Sequence, residues 1–167
     1  MPAAGTRLPL LLPLLLLLPP TNRPNTTETP MARILLAEDD PSVRAFVLSA
    51  LQMKGHEVVA EEDGGLAAET ADAEDGRFDL LLSDIKMPVM DGIALALHVG
   101  ARFPTITIVL MTGFADQRER AHGLDALIYD VITKPFTLAD LLAKVDDALA
   151  GKPVEVVSLA RQAQQQQ

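Results

Sequence analysis

The sequence predicts an α/β fold, a doubly wound five-stranded parallel sheet with helices on both faces, carried by residues 31–150. Three observations predict it. Short apolar runs alternate with stretches of helical period throughout this segment. The middle runs are apolar without interruption, as in strands buried on both faces. Polar residues collect where the runs end, and that is the edge at which open parallel sheets bind ligands.

Each element follows in order. Ile34 to Ala37 is the first strand, and Val43, Phe46, Val47, Ala50 and Leu51 then recur at helical spacing. "HEVVAE" is the second strand and "GGLAAETADAE" a helix of small residues. "FDLLLSD" is the third strand, followed by the helix "GIALALHVGAR". The β-branched "TITIVLMT" is the fourth strand, and "ADQRERAHG" a polar helix ending on Gly123. "DALIYDVITKP" supplies the fifth strand. The final helix, "TLADLLAKVDDALA", opens on Thr137 as N-cap with Asp140 three residues later. Its apolar stripe is Leu138, Leu141, Leu142, Val145 and Leu149.

The flanks differ in kind. Leu8 to Leu18 is almost pure Leu and Pro, and shorter than the roughly 20 residues a membrane span needs. Arg7 precedes it, as in a signal-peptide core, but Pro9 and Pro13 interrupt the helix and no small-x-small cleavage pattern follows. Met31 then opens a stretch that reads as a complete domain. Residues 1–30 are therefore expected to be a disordered Leu/Pro-rich extension outside the natural domain, with a signal or anchor as the alternative. Residues 151–167 begin with Gly and Pro and end in a glutamine run, and are expected to be a disordered tail without an effector domain.

Composition narrows the function. A chain of 167 residues with 49% hydrophobic and 22% charged residues suits one globular domain with tails. The net charge of −9 argues against a nucleic-acid surface. There is no Cys, so disulfide and thiolate chemistry are excluded. His56, His98 and His122 lie far apart with no metal-ligand spacing and are read as surface or packing residues.

The strand ends carry the chemistry. The first strand runs into Glu38, Asp39 and Asp40, three carboxylates in a row. The third ends in Ser83 and Asp84, the fourth in Thr112, the fifth in Lys134 and Pro135. Singly, each is ordinary in a polar loop. Together they place several acids, a hydroxyl and an ammonium at one edge of the sheet. Crowded carboxylates repel unless a cation sits among them, and an all-oxygen set suits Mg2+. Mg2+ held by one or two carboxylates commonly completes its shell with water and phosphoryl oxygens. Lys134 and Thr112 would then bind further phosphoryl oxygens, and Asp84 would be the nucleophile.

"ILLAEDD", "DLLLSDIKMPVMDG", "LMTG" and "VITKPF", in this order and spacing, closely resemble the receiver domain of two-component response regulators. The resemblance covers residues 32 to about 150. It implies a flavodoxin-like sheet in strand order 2-1-3-4-5. It also implies a signalling phosphoacceptor, not an enzyme with an external substrate. Asp84 would take phosphate from a sensor histidine kinase or histidine phosphotransferase, and the domain would catalyse its own transfer and dephosphorylation. Asp39, Asp40 and Asp84 would hold Mg2+ with the Lys86 carbonyl, and Thr112 and Lys134 would be the switch hydroxyl and the site lysine. A cis peptide would precede Pro135. The aromatic that commonly stands three residues before the lysine is replaced by Val131. Tyr129 would share its face if the strand alternates and could substitute for it. The preferred route for the signal is instead Thr112, Phe114 and the following helix, towards a surface including Arg118, Arg120 and Tyr129. "LDALIYDVITKPFTL" and "RILLAEDDPSVR" are similar to stand-alone receivers of the CpdR type, cytoplasmic adaptors of the ClpXP protease.

Other functions fit less well. A haloacid-dehalogenase-type phosphatase would need a second Asp two residues after the nucleophile, where Lys86 stands, and its nucleophile on the first strand of its motif order. No glycine-rich phosphate loop follows any strand, which argues against a nucleotide-binding protein. A degenerate receiver acting only as a docking module would not retain the full polar set.

Overall fold

The structure is a computed structural model, and it describes residues 31–151. The expectations for residues 1–30 and for the tail after Gly151 lie outside the described residues. The elements alternate throughout: β1 (Arg33–Ala37), α1 (Pro41–Met53), β2 (Glu57–Glu61), α2 (Gly64–Ala73), β3 (Leu80–Asp84), α3 (Gly92–Arg102), β4 (Thr107–Thr112), α4 (Ala115–His122), β5 (Asp130–Thr133) and α5 (Leu138–Ala150). All strand pairs are parallel, in the order β2-β1-β3-β4-β5. The fold expected from the sequence is the fold observed.

Strand alternation sorts the apolar residues into two cores. On one face Leu35, Leu81, Ile108 and Leu110 meet Ala67 and Ala71 of α2 and Leu95 and Val99 of α3. On the other, Ile34, Leu36, Leu80, Leu82, Val109 and Met111 meet Val47 and Leu51 of α1 and Leu141 and Val145 of α5. Every residue of β3 is buried, because helices cover both of its faces. Each fully buried Leu or Ile contributes on the order of 1.5–3 kcal/mol. The small residues of α2 have a reason at Gly64, where a Cβ would lie 2.1 Å from the Met90 carbonyl oxygen. Among the described residues no helix is long and apolar enough to cross a membrane.

Two local expectations need correction. Phe46, one of the apolar positions at helical spacing in α1, does not join Val47, Ala50 and Leu51 in the core: it is 44% exposed, and its ring lies 6.4 Å from that of Phe136. The fifth strand is shorter than "DALIYDVITKP" suggests, because the chain turns through residues 123–127 with Leu127 N and Ile128 N both donating to the Leu124 carbonyl. Strand alternation therefore starts only at Asp130. Tyr129 packs with Ile132 against the α1/α5 face, whereas Val131 packs on the opposite face beside the α2/α3 core. Tyr129 does not share a face with Val131, so it does not stand in for the missing aromatic.

Candidate functional site

The register sets the site. Ala37 pairs with Ser83, Asp84 with Met111 and Thr112 with Thr133, so four strands end nearly level. The residues after those ends surround a cavity of about 440 Å3 lined by Glu38, Asp39, Asp40, Asp84, Lys86, Phe114, Gln117 and Lys134, among others. The loop that leaves Asp84 is held close: Gly92 N donates to the Ile85 carbonyl at 2.7 Å. A Cβ on Gly92 would lie 2.1 Å from the Asp84 carbonyl oxygen, so only glycine lets α3 start there.

At the centre lies Lys134. Its Nζ is 2.8 Å from Glu38 Oε2 and 3.3 Å from Asp84 Oδ2. The peptide from Lys134 to Pro135 is cis, as the sequence resemblance implies. Glu38 is fully buried, and its other oxygen accepts from Asp40 N at 3.1 Å. Asp84 is 7% exposed, and its Oδ1 accepts from Ile85 N at 3.0 Å. Burial pushes both carboxyls above their ordinary range, and the lysine works against that rise in each. Burial pulls the ammonium downward, but the Glu38 hydrogen bond and the Asp84 charge outweigh it, leaving Lys134 above its ordinary value.

Carboxylate oxygens of Glu38, Asp39 and Asp84 lie within 4.8 Å of one another. The donor set is all oxygen, and neither His nor Cys lines the cavity, so it fits a hard cation such as Mg2+. Asp40, expected in that set, is not brought into it. Its Oδ1 caps α1, accepting from Ser42 N at 2.8 Å and Val43 N at 3.0 Å, and these bonds hold its carboxyl below the ordinary range. Glu38 takes the inward position instead. The sequence held the signal: Asp followed by Pro41 is an N-cap with proline at the first helical position.

Thr112 is 1% exposed. Its hydroxyl donates to Gln117 Oε1 at 2.9 Å, lies 3.3 Å from the Phe114 carbonyl, and accepts from Phe114 N at 3.2 Å. Gln117 was not singled out from sequence, since one polar residue on a polar helix carries no signal. Lys86 is exposed, with its ammonium 5.3 Å from the centre of the Phe114 ring, itself 53% exposed. Arg118 donates to Thr133 Oγ1 at 3.1 Å and Arg120 reaches Asp91 Oδ2 at 3.2 Å, so both tie α4 to its surroundings.

Fold and pocket together define a class: an open α/β domain with buried acids, a lysine and a threonine at the carboxyl edge of its sheet. The pattern of the response regulator receiver domain matches residues 34–146, and this chain belongs to that family. It is 40% identical over 119 residues to the response regulator receiver protein CpdR of Brucella abortus, covering 71% of this chain and 98% of CpdR. It is 33% identical to the transcriptional regulatory protein PrrA of Mycobacterium tuberculosis, of which it spans only 48%. Among solved structures, the chemotaxis response regulator CheY4 of Vibrio cholerae superposes with a TM-score of 0.62 at 30% identity, covering 71% of this chain and 98% of CheY4. TrrA of Thermotoga maritima, in complex with Mg2+ and BeF, gives 0.64 at 27% identity, covering 71% of this chain and 99% of TrrA.

Proposed function

We propose that this receiver domain, residues 31–150, is a single-domain response regulator whose phosphoryl acceptor is Asp84. The observation that carries the reading is Lys134 Nζ set between Glu38 Oε2 and Asp84 Oδ2, beside the cluster of three carboxylates. In the proposed reaction a carboxylate oxygen of Asp84 attacks the phosphorus of a phosphohistidine on a histidine kinase or phosphotransferase. The P–N bond breaks, the imidazole leaves, and an acyl phosphate forms. Lys134 neutralises charge on the phosphoryl oxygens, and Thr112 supplies a hydroxyl donor once it turns towards them. Mg2+ would be held by Asp39 and Asp84, with Glu38 close by and the Lys86 carbonyl as a further oxygen, and would supply charge neutralisation.

The output surface in this reading is the face of α4, β5 and α5, with Arg118 on its α4 side, whereas Arg120 turns the other way, to Asp91. The likeness to CpdR supports a finer role, in which the unphosphorylated form acts in the cytoplasm as an adaptor of a ClpXP-type protease. Incubation with acetyl phosphate and Mg2+ tests the acceptor directly. Intact mass should show one added phosphate on the wild type and none on Asp84→Asn. Stoichiometric, acid-labile phosphate on that variant would sink the assignment. The adaptor role predicts binding to the protease by unphosphorylated protein and its loss after phosphorylation.

A further inference from the structure

We propose that Gln117 is a positioning residue, a catch that holds the Thr112 hydroxyl away from Asp84 until a phosphoryl group competes for it. The inference rests on the reading of Asp84 as acceptor. A threonine hydroxyl has one proton to donate. In this structure it is directed at Gln117 Oε1, at 2.9 Å, with the Phe114 carbonyl as a longer alternative at 3.3 Å. Neither acceptor belongs to the acidic pocket's carboxylates. For Thr112 to donate to an oxygen on Asp84, its bond to Gln117 has to break.

What lies at the other end of that bond gives the catch its consequence. Gln117 sits in the first turn of α4 and lines the acidic cavity. The helix around it is weakly attached. Its N-cap, Phe114, makes no side-chain capping bond, and Ala121 is its one residue in the buried core among those described. The bond from Thr112 therefore ties the start of α4 to the end of β4. Loss of that tie releases the helix in the same event that completes the phosphoryl site. One hydrogen bond thus opposes phosphoryl binding and restrains α4, and the two effects have to change together.

Beryllofluoride with Mg2+ serves as the probe, with affinity measured by calorimetry and α4 by amide exchange. Gln117→Met keeps the shape and removes the acceptor. It should bind the probe about threefold to tenfold more tightly, the range expected for one neutral hydrogen bond. It should also lower protection of the α4 amides in the free protein. In a Thr112→Val background, where no hydroxyl remains to be held, Gln117→Met should leave the affinity unchanged. Gln117→Glu retains an acceptor and should keep α4 protection near wild type. Equal affinity of Gln117→Met and wild type, or an equal gain with and without the Thr112 hydroxyl, would overturn the proposal while leaving Asp84 as acceptor. Failure of the wild type to bind the probe, or binding indifferent to Asp84→Asn, would overturn both.

Discussion

Helices α4 and α5 flank the same strand but are attached to the molecule in opposite ways. Helix α5 begins with a reciprocal capping box, Asp140 N donating to Thr137 Oγ1 and Thr137 N to Asp140 Oδ2, both at 3.1 Å. It buries Leu141, Val145 and Ala148 against the sheet. Helix α4 has eight residues, no side-chain cap and a polar sequence, "ADQRERAH". Its attachments are hydrogen bonds and ion pairs at its rim, those of Gln117, Arg118 and Arg120. The difference locates stability in one helix and freedom of movement in the other. Elements that move in switching come from the low-stability end of a fold, and here the weakly held helix is the one that borders the acidic cavity.

The strongest way to break that comparison is to damage each helix. Leu141 is fully buried in a core of large side chains. Leu141→Ala should cost about 2–5 kcal/mol, as transfer free energy plus a cavity. Glu119→Ala, on the exposed side of α4, should change stability by less than about 0.5 kcal/mol. Urea unfolding of both variants measures this. Similar losses would mean that α4 is as firmly built in as α5.

The next effect tests the acidic pocket that α4 borders and α5 does not line. Lys134→Met leaves Glu38 and Asp84 without their cation. Breaking a buried pair typically costs about 3–5 kcal/mol, and partial solvent access to this lysine should reduce that to about 1–3 kcal/mol. The sign of the pH dependence follows from the carboxyls. Both are raised in the fold, so the native state holds protons that the unfolded chain has released. Their contribution to stability therefore falls as pH rises from the ordinary carboxylate range through the raised values. Lys134 is raised as well, so its contribution is complete below its ordinary value and is lost only in strong alkali. Removing the lysine takes away what restrains the rise in both acids, so the deficit should be larger at pH 7 than at pH 5. Unfolding in EDTA at the two values measures it. An equal deficit would mean that the lysine acts through packing alone.

Much of this was legible in the sequence, and where it was not the reason is physical. Periodicity located all ten elements, because a sheet covered on both faces demands long apolar runs such as "LLLSD". Asp84, Thr112 and Lys134 were legible because parallel strands of similar length end at one edge. Which of three consecutive carboxylates turns inward was not legible from spacing, since the strand ends at Ala37 and alternation no longer applies. Capping chemistry decided it, drawing Asp40 to α1 and leaving Glu38 to meet Lys134. The face of Tyr129 was not legible for the same kind of reason: its apolar run starts at Ala126, but the strand begins only at Asp130, one residue after Tyr129.

A smaller effect comes from the caps themselves and sharpens the contrast between the helices. Thr137→Ala removes one half of the capping box and should cost about 1 kcal/mol. Phe114→Asn offers α4 the side-chain acceptor it lacks and should stabilise the protein by about 0.5–1 kcal/mol. It should also slow amide exchange in α4 selectively. A neutral outcome for Phe114→Asn, with Thr137→Ala behaving as expected, would show that the start of α4 is fixed by its bond to Thr112 rather than left open by want of a cap.

The smallest expected effect separates two routes for the signal. Tyr129 donates from its hydroxyl to Asp147, with the carbonyl and Oδ2 each 3.2 Å away, and so fastens the approach to β5 onto α5. Desolvation, followed by the Asp147 hydrogen bond, raises its phenol above the ordinary value, so it stays a neutral donor through the physiological range. Tyr129→Phe removes one partly exposed hydrogen bond and should cost about 0.5 kcal/mol. Because the ring packs with the α1/α5 core and Val131 lies on the other face, the variant should respond to beryllofluoride as the wild type does. Changes in α4 amide exchange on adding the probe measure that response. A response abolished in Tyr129→Phe would place an aromatic on the signal path and make the firmly held side of the molecule, rather than α4, the part that moves.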